Sequence, residues 1–307
     1  MKGERMAWIA LGIVSFFWGT TYLAIRIGVM HFPPFLFTGI RMAFGGIIMG
    51  MIWLFQKRTF RLTWKILGKN ALAGIFFFTL GVGMVGWSEQ YIPSGLAALL
   101  CSFPPIWLVI FNVFIFRMEK LNPWILFGIL LGFGGTILVF REHFSELLNA
   151  RYRLAVGVVV LANIGWVLAS LGMKKENPSQ DSVLNASIQM LSGGIFLFIL
   201  SFFFEQQVKI VWTAPVVYSM IYLIIFGSVL AFWAYLYALS HLPLSLVSLH
   251  NYINVLVSII LGSLVLNEKL NPIIFMSVII TLIGIYFVNK GLNQNKKTEL
   301  AHESPLE

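Results

Sequence analysis

The chain contains 307 residues, of which 59% are hydrophobic and only 11% are charged, and its formal net charge is +9. A water-soluble domain carries about 25% charged residues, so this composition excludes an ordinary soluble protein. The basic residues are concentrated in loops between apolar stretches, which indicates membrane topology rather than nucleic-acid binding.

Apolar stretches follow one another along the whole chain, and a helix of about 20 such residues crosses a hydrocarbon core about 30 Å thick. The runs are continuous rather than alternating, which favours helices over a β-barrel. The polar segment 291–307 is predicted to be a disordered cytoplasmic tail. The ten predicted spans are residues 7–29, 35–55, 71–92, 95–116, 122–140, 154–172, 183–204, 216–238, 245–266 and 271–289.

Lysine and arginine are divided unequally between the two sets of alternate loops, with fourteen on one side and five or six on the other. Cytoplasmic loops are enriched in these residues. We therefore expect a multi-pass protein of the plasma membrane with both termini in the cytoplasm.

The chain contains an internal repeat. The pentapeptide EKLNP occurs at 119–123 and at 268–272, IRMAFGGI at 40–47 matches IQMLSGGI at 188–195, and Trp18 matches Trp166 at the same offset. We interpret residues 1–150 and 151–290 as two copies of one five-helix unit. Because five is odd, the copies should have inverted topology, which is typical of secondary transporters with a substrate site near the midplane.

Within EKLNP, Asn122 and Asn271 are predicted N-caps, each followed by the proline that suits the first helical position. Glu119 and Glu268 can accept hydrogen bonds from free backbone amides at the adjoining turns. A gate contact or an ion site is the functional alternative for these two glutamates.

Several segments resemble the EamA family of the drug/metabolite transporter superfamily. They are WGTTYLAIRIG (18–28), FTGIRMAFGG (37–46), GLAALLCSFPPIW (95–107), MEKLNPWILFGILLGFGGTILV (118–139) and VLNEKLNPIIFMSVIITLIGIYFVN (265–289). The resemblance implies ten helices in two inverted repeats, a central cavity, and movement of small organic solutes such as amino acids or related metabolites, commonly by export. The second repeat departs from the first where Gln189 replaces Arg41 and Asn254 replaces Pro105.

Polar and aromatic residues at comparable depths near the middle of the predicted spans are the candidate substrate ligands. Core packing is the alternative for each aromatic residue, since binding sites and cores are both largely apolar. The candidates are Trp18, Tyr22, Arg41, Asn163, Trp166, Gln189, Tyr252 and Asn254.

Ionisable side chains inside a span are costly and therefore informative. Glu89 and His250 are the coupling candidates. Arg41 and Glu89 could pair structurally, or Arg41 could attract an anionic group while Glu89 titrates. His250 could be a proton site or a neutral histidine bonded to a backbone carbonyl.

Two further features concern the scaffold. Pro104 and Pro105 should interrupt the fourth span, because proline removes a helical hydrogen bond. Small residues at matching positions of the fifth and tenth spans suit close helix packing; they are Gly128, Gly132, Ser277 and Thr281.

We interpret the chain as a secondary transporter, working by alternating access through a cavity between the repeats. A channel or an uncoupled facilitator is the alternative, although no filter-like segment is visible. No paired-aspartate or HExxH motif is present, so we expect neither an enzyme nor a metal or other cofactor. The expected partners are a small solute, the lipid bilayer and, if transport is coupled, protons; the protein could be a monomer or a homodimer.

Overall fold

The computed structural model describes residues 2–56, 63–115, 121–142, 144–174, 181–242, 247, 250–268 and 272–303. Throughout these residues the chain is helical apart from short connections, and it contains no strand within them. The predicted all-α class is therefore confirmed.

The helices follow each other closely along the chain. In the first half they are α1 (Lys2–Val29), α2 (Pro34–Phe55), α3 (Trp64–Gly74), α4 (Met84–Ser88), α5 (Ser94–Leu100), α6 (Pro104–Ile110), α7 (Pro123–Glu142) and α8 (Phe144–Leu147). They continue as α9 (Ala150–Lys174), α10 (Ser182–Phe204), α11 (Ala214–Tyr222), α12 (Ala231–His241), α13 (His250–Leu266) and α14 (Pro272–Glu303).

Many of the described helices are suited to a membrane. Seven are long and apolar enough to cross one: Arg5–Val29, Pro34–Phe55, Trp64–Ser88, Ala150–Leu171, Ser182–Phe204, Ala214–Ala238 and Pro272–Asn295. Shorter apolar helices cover Ser94–Trp107, Pro123–Gly135 and His250–Leu266. Helix therefore occurs in every stretch predicted from the sequence, and ten complete crossings stay a prediction.

The predicted interruption by Pro104 and Pro105 is present as a break between α5 and α6. α5 ends at Leu100 and α6 begins at Pro104. Pro104 has no N–H to donate to the carbonyl of Leu100, and proline disfavours helical geometry in the residue before it. The break leaves a turn between the two helices in the middle of the bundle.

Two π-helical segments occupy equivalent places in the two halves. Ile75–Gly83 joins α3 to α4, and Leu223–Leu230 joins α11 to α12. Their first residues differ by 148, which is the offset of the sequence repeat. The wider turn of a π-helix shifts the side chains that follow it, and such turns are frequent at functional sites. A further π-helical segment covers Phe111–Ile115.

α2 and α10, which are equivalent helices of the two halves, pack antiparallel. A Cβ on Gly194 would lie 3.2 Å from the carbonyl oxygen of Gly39, and Ser187 Oγ donates to the carbonyl oxygen of Gly46 at 2.8 Å. As the residue number rises on α2 it falls on α10, so the two helices run in opposite directions.

α7 and α14 form a second antiparallel pair, which we call the seam. A Cβ on Gly128 would lie 2.5 Å from the carbonyl oxygen of Gly284, and one on Gly135 would lie 2.6 Å from that of Ser277. Only small residues permit backbones to approach so closely. This agrees with the scaffold role predicted for these positions.

The two EKLNP copies have different surroundings. Asn122 caps α7 as predicted, since its Oδ1 accepts from the Ile125 N–H at 3.0 Å. Glu268 accepts from the N–H groups of Ser94 and Gly95, so its partners are the start of α5 and not its own turn. Glu119, Lys120 and Asn271 lie outside the described residues.

The C-terminal segment differs from the prediction. α14 continues to Glu303, whereas disorder was expected from residue 291. The helix passes through residues of good helix propensity, without glycine or proline between Leu292 and Glu303. Extending an existing helix is far easier than starting one, so a span can carry a polar helical extension. Residues 304–307 lie outside the described part.

Candidate functional site

A cavity of about 250 Å³ lies between the two halves of the bundle. It is mostly apolar with a few polar groups, as is usual for small-molecule sites. Its polar lining residues are Thr21, Tyr22, Arg41, Asn163, Ser228, Tyr235, His250, Asn251 and Asn254. Its aromatic and apolar lining includes Trp18, Ile25, Met42, Phe78, Val82, Val85, Cys101, Trp166, Met190, Phe232 and Val247.

The structure brings most of the predicted site residues together. Six of the eight candidate ligands line the cavity, namely Trp18, Tyr22, Arg41, Asn163, Trp166 and Asn254, and so does the coupling candidate His250. Gln189, Tyr252 and Glu89 do not line it. What these residues bind stays a prediction.

Arg41 is the only arginine or lysine among the lining residues. It lies two residues beyond Gly39 on α2, about 200° around the helix from the contact with α10. The residue is 5% exposed, and its Nε donates to Ser228 Oγ at 3.0 Å. Its Nη1 has no hydrogen-bond partner among the described residues. The guanidinium therefore retains a free donor in the cavity wall.

Glu89 is fully buried at the end of α4. Neither carboxylate oxygen has a hydrogen-bond partner among the described residues. The structural pair between Arg41 and Glu89, one of the two predicted alternatives, is therefore not formed here. Buried carboxyl groups are normally hydrogen-bonded, and an unpaired buried charge is costly.

Gln189 bonds Asn70 on α3 and does not reach the cavity. Its Nε2 donates to Asn70 Oδ1 at 2.8 Å, and Asn70 Nδ2 donates to the carbonyl oxygen of Ile66 at 3.0 Å. Asn70 is fully buried. The predicted placement of Gln189 beside a solute is thus replaced by a polar contact between two helices. Asn70 lies just outside the predicted third span, 71–92, and is therefore not among the candidate residues.

Trp18 and Trp166 each lie against a π-helical segment of the opposite half. Trp18 Nε1 donates to the carbonyl oxygen of Gly227 at 3.2 Å. A Cβ on Gly81 would lie 3.0 Å from the Trp166 ring. The equivalent tryptophans therefore occupy equivalent walls of the cavity.

An aromatic cluster surrounds Trp18. Its ring centroid is 5.0 Å from that of Tyr235 and 5.1 Å from that of His250. His250 Nδ1 lies 2.7 Å from the carbonyl oxygen of Val247. A carbonyl can only accept, so Nδ1 carries the hydrogen. This is the backbone-bonded arrangement predicted as one alternative for His250.

Asn163 has its amide hydrogens committed to the backbone. Its Nδ2 donates to the carbonyl oxygens of Val159 at 2.9 Å and Leu100 at 3.0 Å. The Leu100 carbonyl is the group that Pro104 cannot bond. Asn163 therefore supplies a hydrogen bond to the carbonyl that the helix break leaves without its helical donor. The side-chain oxygen of Asn163 is the atom left for a solute.

Asn254 and Tyr252 are both on α13 but face different surroundings. With its amide oriented to satisfy its neighbours, Asn254 donates to the carbonyl oxygen of Ser15 at 2.7 Å. Tyr252 packs against the apolar cluster that contains Phe103, and its hydroxyl accepts from Asn289 Nδ2 at 3.2 Å. Two positions along a helix are about 200° apart, which explains why equal depth does not bring both into the cavity.

The sequence did not single out Thr21, Ser228, Tyr235 or Asn251, which also line the cavity. Asn251 adjoins His250 in an apolar stretch, so its polarity was a usable signal. Small hydroxyl residues are common in membrane helices, and nothing in the sequence distinguishes Ser228 from the others. Within the described residues there is no group of three or more His, Cys, Asp or Glu side chains able to hold a metal.

Apolar helices around an aromatic cavity with a few fixed polar groups are the architecture of a membrane transporter. Comparison with known proteins agrees. The model of the EamA-like transporter family matches residues 6–141 and again residues 153–290. The chain belongs to the EamA-like transporter family and is a membrane transporter, not an enzyme.

Two relatives from different bacteria are described as transporters. The uncharacterized transporter YvbV of Bacillus subtilis is 26% identical over 92% of this chain and 90% of its own length. The uncharacterized inner membrane transporter YedA of Escherichia coli K12 is 27% identical over the same shares. One crystal structure has the same fold, with a TM-score of 0.66 at 17% identity, over 93% of this chain and 97% of that chain.

Proposed function

We propose that this transporter is a secondary carrier that exports a small organic solute bearing a carboxylate, such as an amino acid or a related metabolite. The observation that carries the proposal is Arg41, buried in the cavity wall with its Nη1 unpartnered. Arginine stays charged in proteins, and a guanidinium forms paired, charge-assisted hydrogen bonds with a carboxylate.

The rest of the cavity fits an amphipathic solute. The cluster of Trp18, Tyr235 and His250 supplies aromatic surface on one side, and Trp166 supplies it on the other. Of the amide candidates, Asn163 and Asn254 lie at the cavity, where their side-chain oxygens can accept from an amino group. The solute that suits these walls is a zwitterion or a monocarboxylate with an apolar body.

Alternating access is supported by the arrangement of equivalent helices. α2 runs antiparallel to α10, and α7 runs antiparallel to α14. If all four cross the membrane, the repeats have opposite orientations, and the cavity lies between them as in other inverted-repeat carriers. The two EKLNP copies also make different contacts. Glu268 of the second copy accepts from the Ser94 N–H at the start of α5, whereas Asn122 of the first copy donates to the carbonyl oxygen of Gly291 in α14.

Proteoliposomes test the transport proposal directly. A panel of amino acids and related carboxylates should include one with saturable uptake that is accelerated by the same solute inside the vesicle. Counterflow of this kind requires a carrier. Linear, non-saturable flux for every permeant solute would instead identify the alternative, a channel.

Topology can be measured separately. Cysteines introduced at Lys120 and Lys269 in a Cys101→Ser background should react with an impermeant thiol reagent from opposite sides, with residue 120 in the cytoplasm. Both positions lie outside the described residues, so this test is independent of the structure. Labelling from the same side would overturn the inverted repeat.

If transport is coupled to protons, we assign the coupling to Glu89, one of the two predicted candidates. A buried carboxyl without a partner for either oxygen is the described group best suited to exchange a proton during the cycle. Glu89→Gln should remove the stimulation of uptake by a pH gradient and leave counterflow intact. Glu205→Gln is the matched control, because Glu205 is a buried carboxylate with both oxygens bonded. An unchanged response to the gradient in Glu89→Gln would contradict the assignment.

A further inference from the structure

A hydrogen-bonded network centred on the Glu268 carboxylate joins the two halves of the chain. Glu268 Oε1 lies 3.1 Å from Arg26 Nε and accepts from the Ser94 N–H at 2.8 Å. Glu268 Oε2 accepts from Ser94 Oγ at 3.0 Å and from the Gly95 N–H at 3.3 Å. All the partners of this carboxylate belong to the first half of the chain, whereas Glu268 follows α13 in the second half.

Local geometry positions Glu268 for these contacts. Asn267 adopts a φ of 53°, a left-handed conformation that Asn tolerates better than most residues. The chain reverses there, and the Glu268 N–H donates to the carbonyl oxygen of Gly262 at 3.2 Å. A Cβ on Gly262 would lie 2.5 Å from Glu268 Oε2, so glycine leaves the room that the carboxylate occupies.

Arg26 is held from a second direction. Its Nη1 donates to the carbonyl oxygen of Glu89 at 2.8 Å and also to that of Ile92. Arg26 therefore joins α1 to the connection between α4 and α5. Its neighbour Ile25, and Val85 one turn before Glu89, line the cavity. Ile25 and Val85 therefore define the end of the cavity that is nearest to the network along α1 and α4.

We propose that the Arg26–Glu268 ion pair, with the α5 amides, is a latch that closes this end of the cavity and opens during the transport cycle. The proposal rests on the carrier mechanism above, in which the two halves move relative to each other. The pair is polar and partly exposed, at 18% and 11% of the side chains. When the pair opens, water can form the hydrogen bonds that its two side chains lose, so the net cost of opening is modest.

A second carboxylate provides the contrast. Glu205 also joins the two halves by accepting from the N–H groups of Phe35 and Leu36, at 2.8 and 3.0 Å. It forms no ion pair with the described residues and is 8% exposed. Its α2 partner packs along α10 at the antiparallel contact. We assign Glu205 to fixed packing, and only Glu268 to the latch.

The chain carries its own reporter for the test. Cys101 is the single cysteine of the sequence, and it lines the cavity. A membrane-impermeant, charged thiol reagent applied to intact cells or to inside-out vesicles measures how fast the cavity is reached from each side. Cys101→Ser gives the background.

Glu268→Gln should raise the rate of Cys101 modification from the extracellular side by about ten-fold, the factor for losing one charge-assisted hydrogen bond. Arg26→Gln should do the same. Ser94→Ala removes one bond and keeps both charges, so it should give a smaller increase in the same direction. Ser94→Ala also keeps the proposal testable if either charge variant fails to fold.

Unchanged modification rates from both sides in folded Glu268→Gln and Ser94→Ala would overturn the latch, and so would an equal increase in Glu205→Gln. An increase seen only from the cytoplasmic side would support the latch and reverse the proposed topology. Because the readout needs no solute, a latch that responds as expected while no solute is transported would separate failure of the proposed function from failure of this inference.

Discussion

The repeat is preserved in the seam and broken in the cavity wall. In the seam, Gly128 faces Gly284 and Gly135 faces Ser277, and each pair is the repeat-related copy of the other. At the cavity, the repeat-related residues Arg41 and Gln189 differ in their contacts. Arg41 lines the cavity, whereas Gln189 bonds Asn70 away from it. Close backbone contact requires small residues from both partners, whereas a carboxylate needs only one guanidinium.

Arg41 and Gln189 nevertheless bond equivalent regions of the opposite halves. Arg41 bonds Ser228, which lies in the π-helical segment Leu223–Leu230, while Gln189 bonds Asn70 in α3, before the equivalent segment. Both side chains therefore reach the third stretch of the opposite half, but at different depths. The equivalent helices therefore meet in both halves, but only the Arg41 contact lies at the cavity.

The largest effect should come from filling the seam. In Gly284→Leu the new Cβ would lie 2.5 Å from the Gly132 nitrogen and 2.7 Å from the Gly128 carbonyl oxygen. Backbone atoms cannot move aside as side chains can, so we expect the protein to lose about 3 kcal/mol of stability, the upper end of the usual cost of overpacking, and to give little folded protein. Monodisperse yield and melting temperature are the measurements. Gly134→Leu is the control, since a Cβ there meets nothing within 4 Å; similar behaviour of the two variants would mean that the seam is not tightly packed.

The next effect concerns the cavity wall. Arg41→Gln should weaken binding of carboxylate solutes by ten-fold or more, because hydrogen bonds to charged groups contribute about 1.5–3 kcal/mol. The melting temperature should stay near that of the parent, since the change makes the first half resemble the second. Arg41→Lys retains the charge but not the planar guanidinium, so its affinity for carboxylate solutes should lie between those of the parent and Arg41→Gln.

The competing view of Arg41 is that it only neutralises Glu89. On that view Arg41→Gln harms stability, and Arg41→Gln with Glu89→Gln restores both stability and solute affinity. The unpartnered carboxylate oxygens of Glu89 lead us to expect no such recovery. Solute affinity and melting temperature of both single variants and the double variant decide between the two views.

Substitution of Gln189 should lower stability and leave solute affinity unchanged, the opposite of what we expect for Arg41. Gln189→Leu leaves the buried Asn70 amide oxygen without its donor, which costs about 1–3 kcal/mol of stability, while solute affinity should be unchanged. Asn70→Leu should behave alike, and the double variant should recover much of the loss, because no polar atom of the pair then remains. A fall in solute affinity without a fall in melting temperature would place Gln189 in the site after all.

The smallest expected difference separates the two tryptophans. Trp18→Phe loses the hydrogen bond to the Gly227 carbonyl oxygen and should weaken solute binding or stability by about 1 kcal/mol. Trp166 makes no indole hydrogen bond with the described residues, so Trp166→Phe should have a smaller effect. Equal effects of the two substitutions on affinity and melting temperature would remove this asymmetry.

The helices, the repeat and the break at Pro104 could all be predicted from the amino-acid sequence. Apolar length defines a membrane helix, proline removes a backbone donor, and small residues recur where backbones meet. These are local properties, and each can be read without knowing the neighbours. The depth of Trp18, Arg41, Asn163 and Trp166 was predicted on the same basis, because depth follows from counting residues along a span.

Which of those residues face the cavity depends on how the helices pack against one another. Each step along a helix turns the side chain by about 100°, so Gln189 and Tyr252 have suitable depth but face other helices. The α5 amides from which Glu268 accepts are 174 and 173 residues away in sequence, and the hydrogen bond from Arg41 to Ser228 joins residues 187 apart. Rotation of a helix about its axis and contacts across the bundle are set by packing between the two halves, which no local pattern records.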